Sequence, residues 1–65
     1  MLVGLKMCEF TVILDGKEVF KEVVYAKMEG GKVILQDVLG ESLQFDNCRI
    51  TEVNVNSTRL ILSRF

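Results

Sequence analysis

The chain has 65 residues, of which 49% are hydrophobic, and its 8 basic and 9 acidic residues give a net charge of −1. A chain of this length makes one small domain, burying only about 60% of the surface its unfolded form exposes, and leaves no room for a second domain or a deep cleft. The lack of histidine excludes Ser-His-Asp and Cys-His catalysis within one chain, two cysteines are too few for a four-thiolate zinc site, and balanced charge argues against a protein held mainly by phosphate contacts.

In chain order, the opening "MLVGLK" is too short for a secretory signal, and no apolar run approaches the roughly 18 residues of a membrane span. The expectation is a cytoplasmic protein whose two thiols stay reduced, without a Cys8–Cys48 disulfide. "CEFTVIL" then alternates, with Cys8, Phe10, Val12 and Leu14 on one parity and Glu9 and Thr11 on the other. This is the pattern of a half-buried strand. Asp15-Gly16 marks a hairpin turn.

The stretch "KEVFKEVVYAKME" carries Val23, Tyr25 and Lys27 on one face and Val24, Ala26 and Met28 on the other. The break in phase at Lys21-Glu22 predicts either a strand with a corner or two strands. A helix over residues 17 to 28 is the alternative, since Val19, Val23 and Ala26 fall near helical spacing; the Val-Val-Tyr cluster favours strands. Gly30-Gly31 is a second turn, and "EGGK" lacks the glycine spacing and following Ser/Thr of a phosphate loop. Val33 and Leu35, Leu43 and Phe45, and Leu60 and Leu62 mark further strands, while "RITEVNV" changes phase near Thr51-Glu52, as a bulge would. The fold expected is all-β, a small antiparallel barrel of SH3-like or Sm-like type with five or six strands, closed because an open sheet would leave one face bare.

Two readings of Cys8 stand side by side. By parity it is a small core residue, and free cysteine is among the most buried residue types. By position it offers a thiolate next to backbone amides, a donor set that suits square-planar nickel(II) or copper(II). Cys48, in "DNCRI", reads as packing at a strand end. For RNA, exposed aromatics or a basic stripe would be needed, and Tyr25 with Lys27 on the same parity is the sole candidate. No close carboxylate pair suggests acid-base catalysis.

From Met7 onward the chain resembles the CooT-type small nickel-binding proteins, a family also described as predicted RNA-binding proteins. The matching features are "MCEFTVIL" followed by "DG" and a Lys-Glu-Val strand, the Val24–Leu35 hairpin with its "GGKV", the "LGE" turn at Leu39–Glu41, "RITEV" at Arg49–Val53, and a closing apolar strand. The resemblance covers residues 7–65 and implies a non-enzymatic SH3-like barrel. It further implies a homodimer that binds one Ni(II) between subunits through the cysteine after the initiator methionine, assisting maturation of carbon monoxide dehydrogenase. In this sequence that ligand is Cys8, with the Met7 backbone beside it. The family begins at its methionine, so residues 1–6 read as an extension ahead of a single 7–65 domain, and the expected translation start is Met7.

Overall fold

A computed structural model describes residues 9–65, which form β1 (Phe10–Leu14), β2 (Lys17–Glu29), β3 (Lys32–Asp37), β4 (Ser42–Asp46), β5 (Cys48–Asn54) and β6 (Arg59–Arg64). The first two hairpins follow from their turn residues. Asp15 and Gly16 (φ 56° and 74°) connect Leu14 to its partner Lys17, and Gly30 and Gly31 (φ 55° and 80°) connect Glu29 to Lys32. Two successive positive φ values make the tight turn whose twist matches paired strands, and Asp-Gly and Gly-Gly reach it at little steric cost.

Residues 17–29 form one continuous strand, with a corner and without helix. Its pairing with β1 slips between Phe10↔Val23 and Val12↔Phe20, where Glu22 takes a left-handed φ of 59°. Val23 is the hand-over point, since it pairs with Phe10 of β1 and Asp37 of β3, and beyond it β2 pairs with β3 alone. The phase change in "RITEVNV" is likewise a bulge, because the β5–β6 register slips between Ile50 and Glu52.

The six strands lie in the order β4-β3-β2-β1-β6-β5. The expectation of a closed antiparallel barrel needs correction on two counts. β1 and β6 run parallel, and the end strands β4 and β5 share no ladder. A single residue, Asn47 (φ 57°), joins β4 to β5 and turns the chain away, so that β5 pairs with β6. The start of β5 nonetheless curls over the β2–β3 turn, where the Cys48 N–H donates to the Gly31 carbonyl at 3.2 Å.

Alternation reaches the core as expected for β1, β3 and β6. Val12, Leu14, Val33, Leu35, Leu60 and Leu62 are buried, together with Val23 and Cys48, while Phe10, Val19, Phe20, Phe45 and Ile50 pack around them. β4 contributes only half-buried Phe45, and its Leu43 stays exposed.

The turn after β3 depends on one carboxylate. Asp37 is buried, and its Oδ1 accepts the backbone N–H groups of Leu39 (3.0 Å) and Glu41 (2.9 Å). The Val38 N–H donates to the Glu22 carbonyl at 3.0 Å, pinning this turn to the corner of β2. Removing the Asp37 acceptor strands two donors, at a cost of about 1–3 kcal/mol. Asp37→Ala should therefore lower the denaturant midpoint clearly and Asp37→Asn, which keeps an oxygen, by less; an Asp37→Ala midpoint equal to that of the parent chain would contradict this role.

Candidate functional site

Met7 and Cys8, the metal-ligating residues expected from sequence, lie outside the described residues. The nearest described residues are exposed Glu9 and half-buried Phe10 at the start of β1. Phe10 also forms one wall of an open apolar groove of about 230 Å³. The groove lies beside the hand-over at Val23. The space is lined by residues 23–26 of β2, Ile50 and Val53 of β5, and Leu60 of β6.

Several residues around this space are apolar and exposed to water, namely Val24, Tyr25 and Val53, with Met28 farther along β2. Tyr25 is exposed as its sequence reading required, and bulges accompany the exposure of Val24 and Val53. In β2 the extra residue Val24 falls between the pairs Val23↔Asp37 and Tyr25↔Gln36, and in β5 Thr51 falls between Ile50↔Leu62 and Glu52↔Ile61. Each bulge adds one residue to its strand and re-aims the side chains that follow. The groove is bridged at one end, where the Ile50 N–H points at Met28 Sδ, 3.5 Å away. Sulfur is a weak acceptor, so this edge of β5 is only weakly engaged.

Cys48 is fully buried, in the core cluster, as a free thiol. It packs at the strand end as the sequence suggests and presents no surface to a metal ion. Among the described residues no group of three or more His, Cys, Asp or Glu side chains converges to hold one.

Tyr25 and Lys27 share a face of β2, pairing with Gln36 and Ile34. Tyr25 is 48% exposed, but Lys27 Nζ lies 3.5 Å from Glu29 Oε1. Other cations are also engaged. Arg64 Nε donates to Asp15 Oδ2 at 2.8 Å, and this hydrogen bond, followed by the charge of Asp15, holds the guanidinium pKa above its ordinary value. Arg49 sits 5.7 Å from the Phe65 ring centroid. Three of the eight basic residues, Lys27, Arg49 and Arg64, are thus engaged by neighbouring side chains. No helix of the structure is long and apolar enough to cross a membrane among the described residues.

The sequence matches the family model for the CO dehydrogenase accessory protein CooT over residues 7–63. The chain belongs to the CooT family. The matched segment takes in the Met7-Cys8 pair, all six strands up to Ser63, and every groove-lining residue. No curated protein matches the chain. CooT proteins are accessory proteins rather than enzymes, which agrees with a chain that has no histidine and whose described groove is lined by apolar side chains. An accessory role implies a client, and the family description names it as CO dehydrogenase.

Burial of Cys48 in this CooT chain has a direct chemical consequence. In a Cys8→Ser variant the remaining thiol should resist a water-soluble disulfide reagent until denaturant is added, because only the exposed thiolate attacks. Rapid reaction of Cys48 in the native variant would contradict the packing described.

Proposed function

We propose that this chain is a cytoplasmic nickel-handling accessory protein. It binds Ni(II) through Cys8, with backbone donors at Met7 and Cys8, at the interface of a homodimer, and serves maturation of a nickel enzyme such as CO dehydrogenase. Membership of the CO dehydrogenase accessory family is the observation that carries this reading.

The chemistry of the available donors supports it. With no histidine and with Cys48 sealed in the core, the Cys8 thiol is the one thiol left for a surface metal. Thiolate and deprotonated amide donors favour nickel(II) in tetragonal geometry. Residues 9–65 bring no three further ligands together, so one chain offers too few donors, and two Cys8 thiolates related by a two-fold axis supply a more complete set. Covalent reach limits where that site can lie. Two residues of chain span about 7 Å at most, which ties Cys8 to the Phe10 end of β1 and to the apolar groove beside it. Closure of the sheet in the SH3-like manner would build on the Cys48–Gly31 hydrogen bond and the Ile50–Met28 approach.

Nickel titration of the protein beginning at Met7, followed by thiolate-to-nickel charge-transfer absorption, tests the reading. The band should grow to saturation in the parent and in Cys48→Ala, and should be absent in Cys8→Ser. Equal nickel binding by Cys8→Ser would refute the assignment of the ligand.

A further inference from the structure

Alternate residues at the start of β5 turn their N–H groups toward the β2–β3 hairpin. Cys48 donates to the Gly31 carbonyl at 3.2 Å, and Ile50 donates to Met28 Sδ at 3.5 Å. The bulge between Ile50 and Glu52 follows directly. The seam between β5 and the hairpin is thus held by a backbone carbonyl at one position and by a side-chain sulfur at the next. A thioether is a weak acceptor, so the Ile50 position is the weaker of the two.

That sulfur is also placed for chemistry. Met28 pairs with Val33, which is fully buried, so its side chain leaves β2 on the core face. It nonetheless stays 42% exposed in the described fold. Among the described residues sulfur occurs at Met28 and Cys48 alone, and Cys48 is fully buried. A water-soluble oxidant therefore meets one accessible sulfur in residues 9–65.

We propose that Met28 is a reversible oxidation site whose sulfoxide oxygen takes over the Ile50 N–H and tightens the seam between β5 and the β2–β3 hairpin. The oxidant is a hydroperoxide. The sulfur lone pair attacks its terminal oxygen, the O–O bond breaks and an S–O bond forms. The terminal proton passes to the departing oxygen, which leaves as an alcohol, or as water when the oxidant is hydrogen peroxide. Sulfur loses two electrons and the hydroperoxide gains them.

The product suits the position. A sulfoxide oxygen is polar where the thioether is not, and so accepts the N–H more strongly. The unbranched methionine side chain has three rotatable bonds, which let that oxygen swing onto the donor. Partial exposure leaves the new dipole in contact with water, so little of the penalty for burying a polar group applies. Methionine sulfoxide is reduced enzymatically, which makes the change reversible. Neither nickel nor Cys8 takes part, so the test is separate from that of the metal site.

Amide hydrogen exchange at Ile50 reads the contact directly. It should be followed by heteronuclear NMR on nickel-free protein beginning at Met7 with Cys8→Ser, before and after treatment with hydrogen peroxide. The same protein carrying Met28→Leu is the control, because leucine conserves the volume and removes the acceptor. Any effect of Met7 oxidation appears in both proteins. Oxidation of the protein that keeps Met28 should move the Ile50 amide proton downfield and slow its exchange by at least about threefold. Methionine sulfoxide reductases should reverse both changes, and Met28→Leu should show neither. Unchanged or faster Ile50 exchange after oxidation would overturn the proposal, as would a Met28 that takes up no oxygen under conditions that oxidise free methionine. Equal slowing in Met28→Leu would overturn it too, by assigning the effect to another residue.

Discussion

Strand β2 has to serve two partners in succession, and the rest of the structure depends on how it does so. Up to Val23 it pairs with β1, and after Val23 with β3 alone. The change of partner is made by the corner at Lys21-Glu22, where Glu22 accepts a left-handed backbone that is uncommon for a residue with a side chain. The Val38 N–H to Glu22 carbonyl bond ties that corner to the turn organised by Asp37. Among the described residues the β1 ladder stops there, and an apolar groove lies between the rest of β2 and β5. The groove lies beside that hand-over, with Phe10, Val23 and Tyr25 among its lining residues.

Most of the local structure was legible in the residues. Asp15-Gly16 and Gly30-Gly31 have the backbone freedom their turns demand, and the alternation of Val12 with Leu14, Val33 with Leu35 and Leu60 with Leu62 marks the buried face. Both phase breaks proved to be physical, one a corner in β2 and the other a bulge in β5. What alternation could not convey was non-local. The parallel pairing of β1 with β6 joins the two ends of the chain, and nothing within either strand encodes its partner's direction. The turn at Asn47, which denies β4 and β5 a hairpin, rests on one residue in a left-handed conformation. Asp37 was missed for a related reason, since a buried carboxylate capping two backbone amides looks in sequence like any turn acid.

The candidate site was legible to a different degree. Burial of Cys48 follows from strand position, and it narrows thiol chemistry to Cys8, which lies outside the described residues. The groove could not be read from parity, because bulges at Val24 and Thr51 interrupt the alternation. Family membership, from a match that begins at Met7, gives the accessory role its footing. In the described fold the strands gather aliphatic side chains, and among the described residues no group of three or more His, Cys, Asp or Glu converges.

The central claim, a nickel ion shared by two chains through Cys8, is tested most directly by native mass spectrometry of the nickel-loaded protein. The account predicts a species of two chains and one nickel ion that disappears in Cys8→Ser. A nickel-bound monomer, or a two-chain nickel species that survives the loss of Cys8, would contradict it.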